Sequence, residues 1–178
     1  GVIGDSTLTQ NGVFTTDNNG EIRVTNLAPG AYVLTEIKAP QGYVMDAPST
    51  NVVIGEGGDT QTVVITNTPK GGLVINKLDS VTHEPLEGVE FTITEADGTV
   101  VDDNGGMTSS RGLYRTDENG QIMIDGLVGT FLVTETKTIE GYTIHEETRT
   151  QTVVINPNDT QTITVYNDPV GGLELIKV

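Results

Sequence analysis

The sequence predicts an all-β protein built from tandem two-sheet sandwiches, and three observations carry that class. Apolar and polar residues alternate over short stretches rich in Val, Ile and Thr, the period of half-buried strands. Turn signals punctuate those stretches: Asp97-Gly98, Asn104-Gly105-Gly106, Asn119-Gly120, Asp125-Gly126 and Asn156-Pro157. No segment sustains helical periodicity, and no apolar run is long enough to span a membrane.

Composition narrows the class. The 178 residues include 22 Gly, no Cys and no Trp, and aromatics make up only 4%, so the core must rest on Val, Ile, Leu and a few Tyr and Phe. A net charge of −16 argues against binding nucleic acid or an anionic membrane through bulk electrostatics. Without disulfides, an extracellular sandwich would need another staple. No signal peptide is visible and Gly1 is not a natural start, so the chain reads as a fragment of something longer.

The chain repeats itself at a period of about 100 residues. Gly12 to Leu27 aligns with Gly112 to Leu127, Ala31 to Tyr43 with Thr130 to Tyr142, and Asp59 to Gly72 with Asp159 to Gly172. Gly71 to Lys77 (GGLVINK) recurs as Gly171 to Lys177 (GGLELIK). These matches define a complete module over 71–170, preceded by a module over 1–70 that lacks its first strands. Residues 171–178 read as the first strand of a following module. The junctions are only Pro-x-Gly-Gly, which implies modules strung end to end with limited bending.

Within the complete module, strands are expected in order at 73–78, 89–95, 112–116, 121–124, 130–136, 151–155 and 161–167. The first alternates through Leu73, Ile75 and Lys77, and the fifth through Phe131, Val133 and Glu135. The last alternates through Ile163, Val165 and Asn167. About seven short strands in a hundred residues is the pattern of a two-sheet sandwich. Three of the apolar faces thus each carry one polar residue: Lys77, Glu135 and Asn167.

Those residue types are the reagents of a spontaneous side-chain amide bond. Burial disfavours the charged forms of both lysine and glutamate, so Lys77 would be an uncharged nucleophile and Asn167 its electrophile. Glu135, protonated, would donate to the Asn167 carbonyl and shuttle protons as ammonia leaves. The folded core supplies the effective concentration. Glu36, on the face of Tyr32 and Leu34, and Asn67, on the face of Val63 and Ile65, repeat the arrangement in the first module. Lys177, on the face of Leu173 and Leu175, would serve the module that follows.

The chain resembles the collagen-adhesin B-type (Cna-B) repeats of Gram-positive surface adhesins and pilins. The matching residues are Lys77-Leu78-Asp79, Leu86 to Phe91, Thr116 to Gly120, Gly129 with Phe131 and Glu135, Gly141-Tyr142 and Asn167. The resemblance covers the whole complete module and residues 12–70. It implies an immunoglobulin-like sandwich of inverse topology with intramolecular Lys–Asn isopeptide bonds. It also implies an extracellular, cell-wall-anchored stalk. Ala39-Pro40 of the first copy becomes Thr138-Ile139 in the second, a change expected to loosen a loop without touching the reactive positions.

No enzyme on an external substrate, cofactor or metal is implied. The Asp/Asn clusters at 17–20, 102–104 and 117–120 lack EF-hand spacing and suit hairpin turns. His83 and His145 have no second His at zinc spacing, and Lys70 reads as a solvated linker residue. Expected partners are neighbouring modules of the same chain. Head-to-tail self-association through residues 171–178 would bring Lys177 to Glu36 and Asn67 of another molecule. The alternative function is a module that itself binds host matrix or glycan, which the absence of Trp disfavours.

Overall fold

The computed structural model describes residues 9, 10, 12–102 and 112–177, so the expected turn at 104–106 and residues 103–104 of the acidic cluster lie outside the described residues. The described residues contain no helix. Among the described residues the strands run in order, beginning with β1 (Thr9–Gln10), β2 (Val13–Phe14), β3 (Gly30–Thr35), β4 (Tyr43–Met45), β5 (Ser49–Ile54), β6 (Asn67–Pro69) and β7 (Gly71–Asp79). After these come β8 (Glu90–Glu95), β9 (Leu113–Arg115), β10 (Gln121–Leu127), β11 (Gly129–Lys137), β12 (Tyr142–Ile144), β13 (Thr150–Ile155) and β14 (Thr160–Pro169). The chain divides into two compact units, one of Gly1–Ala39 with Met45–Asn67, the other of Pro40–Val44 with Thr68–Val178.

The larger unit holds two four-stranded sheets, in the orders β10-β7-β14-β12 and β13-β11-β8-β9. Their inner faces supply one apolar core. Leu73, Ile75, Phe91, Ile93, Ile122, Ile124, Phe131, Val133, Val153, Ile155 and Val165 are all buried, alternating along their strands as a sandwich requires. The strand pattern expected from the sequence is present, with β12 in addition. The first and last strands, β7 and β14, are parallel neighbours in register, Val165 opposite Lys77 and Asn167 opposite Asp79.

Two local features depart from expectation. Asp125-Gly126 does not end a strand; β10 runs on to Leu127 through a register shift, with Gly126 at φ 77°. Gly71 and Gly72 are not a spacer either: both are buried within β7. A Cβ on Gly71 would lie 2.2 Å from the Asp159 carbonyl oxygen, and the Gly72 amide donates to that oxygen at 2.9 Å. Close backbone packing, not flexibility, demands glycine there. Their counterparts Gly171 and Gly172 have open space around them, and residues 171–177 form no strand and are exposed.

In the smaller unit, β3 pairs with β5 in antiparallel register from Gly30–Ile54 to Thr35–Ser49, and β1 pairs with β2. None of the side chains described in this unit is fully buried, and Val33 and Val53 are well exposed. Residues 55–66 form no strand, so the alternation of Val63 and Ile65 with Asn67 is not realised as it is along β14.

Candidate functional site

Strand alternation delivers three polar side chains into the sandwich interior. Lys77 on β7, Glu135 on β11 and Asn167 on β14 are 0%, 1% and 0% exposed. They come from both sheets: β7 and β14 adjoin in one, β11 belongs to the other. Glu135 spans the other two. Its Oε1 accepts a hydrogen bond from Asn167 Nδ2 at 2.6 Å, and its Oε2 lies 3.6 Å from Lys77 Nζ. Lys77 Nζ also donates to the Val165 carbonyl, across the β7–β14 ladder, at 3.3 Å.

Backbone contacts hold the lysine in place. The Lys77 amide donates to Gly120 O and its carbonyl accepts from the Leu86 amide, at 2.8 and 2.9 Å. Gly120 sits at φ 69°, and a Cβ there would come within 2.5 Å of the Lys77 carbonyl oxygen. At the end of β7, buried Asp79 accepts from the amides of Val81 and Thr82 and from the Tyr142 hydroxyl. Those amide bonds hold its carboxyl below the usual range. Tyr142 opens β12, whose residues pair with Asp168 and Asn167, so this buried acid ties the end of the first strand to the end of the last.

Burial shifts both ionisable groups towards their uncharged forms. Burial, opposed by the Glu135 carboxylate, lowers the Lys77 amine to about 8. Burial also raises the Glu135 carboxyl, against the hydrogen bond from Asn167 and the nearby lysine. As separate groups the three are poorly satisfied. Among the described residues, Glu135 Oε2 and Asn167 Oδ1 are buried with no hydrogen-bond partner, and an ammonium with three N–H groups finds one acceptor at 3.3 Å. Such an arrangement is costly for ions and suited to a neutral amine facing a carboxamide.

The amide faces the acid through its nitrogen, whereas the sequence-based expectation has the acid donating to the carbonyl. Glu135 therefore touches the amine nitrogen with one oxygen and the amide nitrogen with the other. The second departure is Thr138. Against the expectation that this position leaves the reactive residues untouched, its Oγ1 accepts a hydrogen bond from Asn167 Nδ2 at 2.7 Å.

In the smaller unit the corresponding acid and amide also meet, Asn67 Nδ2 donating to Glu36 Oε1 at 2.8 Å. Glu36 Oε2 and Asn67 Oδ1 are buried without partners among the described residues. Lys177 is exposed. The Asp/Asn turns are occupied by their own backbone: Asp17 accepts from the Asn19 and Glu21 amides, and Asp117 from those of Asn119 and Gln121. His145 Nε2 lies 3.1 Å from Asp168, and His83 lies near the Tyr166 ring.

A family model described as the SpaA prealbumin-like fold domain matches residues 3–69 and again 71–169. The chain belongs to the SpaA prealbumin-like fold family. Among solved structures, the SpaA-fold chain is similar to GBS52, the minor pilin of Streptococcus agalactiae, at 25% identity and TM-score 0.51, covering 92% of this chain and 70% of that one. It is similar to the TIE protein of Bacillus anthracis at 28% identity and TM-score 0.52, covering 91% of this chain but only 30% of that protein. A comparison with curated proteins found no match. The recognition of Cna-B-type repeats of Gram-positive surface proteins agrees with these findings. Among the described residues, no helix is long and apolar enough to cross a membrane.

Proposed function

We propose that this chain is a stretch of shaft from a Gram-positive surface adhesin or pilus, in which Lys77 and Asn167 condense to an amide bond with Glu135 as proton carrier. The observation that carries the reading is the bridging carboxyl, one oxygen 3.6 Å from the lysine nitrogen and the other 2.6 Å from the amide nitrogen. Lys77 Nζ, as the free amine, attacks Asn167 Cγ. Protonated Glu135 gives its proton to Nδ2 and takes one from the attacking nitrogen, the Cγ–Nδ2 bond breaks, and ammonia leaves. The reaction runs once per molecule and is maturation, so the protein is not a turnover enzyme. Condensation removes a buried, poorly satisfied amine, which is the physical reason a folded core would drive it.

The strand order supports a mechanical role. Tension along a string of modules enters β7 at Gly71 and leaves β14 at Pro169, and these strands are adjacent and parallel. A bond from residue 77 to residue 167 diverts that load past every strand between. The pilin among the similar structures fits a surface-exposed, extracellular assembly of such modules. We read the modules as 1–70, lacking its first strands, then 71–170 and the opening strand of another at 171–178. Single-molecule stretching tests the shaft reading. A module without the bond would lengthen by about 300 Å on unfolding, at roughly 3.3–3.6 Å for each of about 90 released residues. The expected trace lacks that step; its presence in the unaltered chain would defeat a load-bearing role.

Head-to-tail association is a second component of the proposal, favoured by the partnerless oxygens of Glu36 and Asn67 and by the exposed Leu173, Leu175 and Lys177. The tail of one molecule would add a strand beside Asn67 of the next and present Lys177 to it. Covalent ladders on a denaturing gel, lost in Lys177→Ala, are the expected result; monomer at every concentration would exclude it.

A further inference from the structure

The carboxamide of Asn167 has two N–H groups, and both are engaged. One goes to Glu135 Oε1 at 2.6 Å. The other goes to Thr138 Oγ1 at 2.7 Å, from a residue immediately beyond β11 and only half-buried. The copy of this position in the first unit is Ala39, which has no hydroxyl, although the Glu36–Asn67 contact is kept. The threonine is therefore not needed to bring acid and amide together. Its hydroxyl is instead a second acceptor, beside Glu135, on the nitrogen that departs.

We propose that Thr138 is a further catalytic residue of amide-bond formation, holding the leaving nitrogen of Asn167 through its hydroxyl oxygen. The inference rests on the cross-link reading and deepens it. In the starting amide, Nδ2 is planar and its lone pair is delocalised into the carbonyl. Attack by Lys77 Nζ turns Cγ tetrahedral and makes Nδ2 a basic amine. That amine takes the proton relayed through Glu135 and becomes –NH3+ before the Cγ–Nδ2 bond breaks. A hydroxyl oxygen already within hydrogen-bond distance accepts one N–H of the developing ammonium while Glu135 accepts another. No atom of Thr138 is consumed, and the products remain the new amide and one ammonia. Because Thr138 contacts the same nitrogen in the unreacted site, it also fixes the amide plane, with nitrogen towards the acid and Oδ1 turned away.

The test follows maturation of the full chain after a short burst of cell-free synthesis, quenched at intervals in acidic denaturant and read by intact mass. Thr138→Val removes the hydroxyl at nearly constant shape, Thr138→Ala reproduces the first copy, and Thr138→Ser keeps the hydroxyl. Loss of the mass of one ammonia should be slowed about tenfold in the Val and Ala variants, the size expected for one hydrogen bond. Thr138→Ser should stay within about threefold of the unaltered chain on the same scale. Given time, the Val variant should reach the same final mass and the same melting temperature, because the hydroxyl acts on the rate. An unaltered rate in Thr138→Val would overturn the proposal. So would slowing that Ser does not rescue and that comes with a lower melting point of the finished product, which marks a packing role. If the unaltered chain never loses ammonia, the cross-link reading fails first and the role of Thr138 falls with it.

Discussion

Replacing Lys77 and Glu135 together, as Lys77→Met with Glu135→Gln, separates a covalent bond from an ordinary buried ion pair. Methionine fills much of the volume of a side chain that is wholly buried, and glutamine keeps an acceptor for Asn167 Nδ2. If the amide bond exists, the change reopens a loop of about 90 residues, and loop-closure entropy alone puts the loss at roughly 4–5 kcal/mol. For a module of this size that lowers the melting temperature on the order of 20–35 °C. If the pair is only ionic, the sign differs. Two charges held 3.6 Å apart in a dry interior gain little over their desolvation, so removing both together leaves stability unchanged or raises it by about 1–4 kcal/mol. Calorimetric melting of the two proteins, each first checked for mass, reads the difference. A double variant that melts within a few degrees of the parent would refute the cross-link as the source of stability.

Other expectations follow from the same geometry. The rate of ammonia loss should be bell-shaped in pH, because the reactive pair holds one proton between amine and acid. Below the raised titration of Glu135, above its ordinary 4.5, both groups are protonated and the amine is blocked. Above about 8 both are deprotonated and the relay has no proton to return, so the rate falls again. A rate that climbs steadily to pH 10 would contradict the relay. Gly120→Ala should destabilise the larger unit by about 2 kcal/mol and slow the bond, since its methyl would press on the Lys77 carbonyl from a backbone at φ 69°. Denaturant unfolding and mass, measured on one preparation, check both effects.

Much of the site was legible because a strand has a period of two. Counting alternate positions from Leu73, Phe131 and Ile163 was enough to turn Lys77, Glu135 and Asn167 inward, and all three are buried. The spacing of turn residues located most strands of the larger unit. What alternation does not carry is which strands adjoin. That β7 and β14 lie parallel, with Lys77 opposite Val165, depends on the whole sandwich closing. β12 escaped because Tyr142–Ile144 is only three residues long, too short for one apolar-polar-apolar alternation to stand out from a loop. Asp125-Gly126 misled because a glycine at positive φ serves a bulge as well as a turn.

Thr138 was missed for a different reason. It follows β11, where polarity reads as loop, and its partner is 29 residues away. One signal was present: the repeat sets Ala39 against Thr138, a gained hydroxyl three residues after the acid. Asp79 was likewise quoted only as part of a motif. Its run Asp79-Ser80-Val81-Thr82 is the signature of an aspartate capping its own turn, and the amides of Val81 and Thr82 bond it as that signature implies.

The mass of the purified full chain under denaturing conditions tests the central claim most directly. The account predicts a value below that of the sequence by one ammonia, with a branched peptide joining Lys77 to Asn167 after digestion. A mass equal to that of the unmodified sequence, in a chain that is folded, would contradict it.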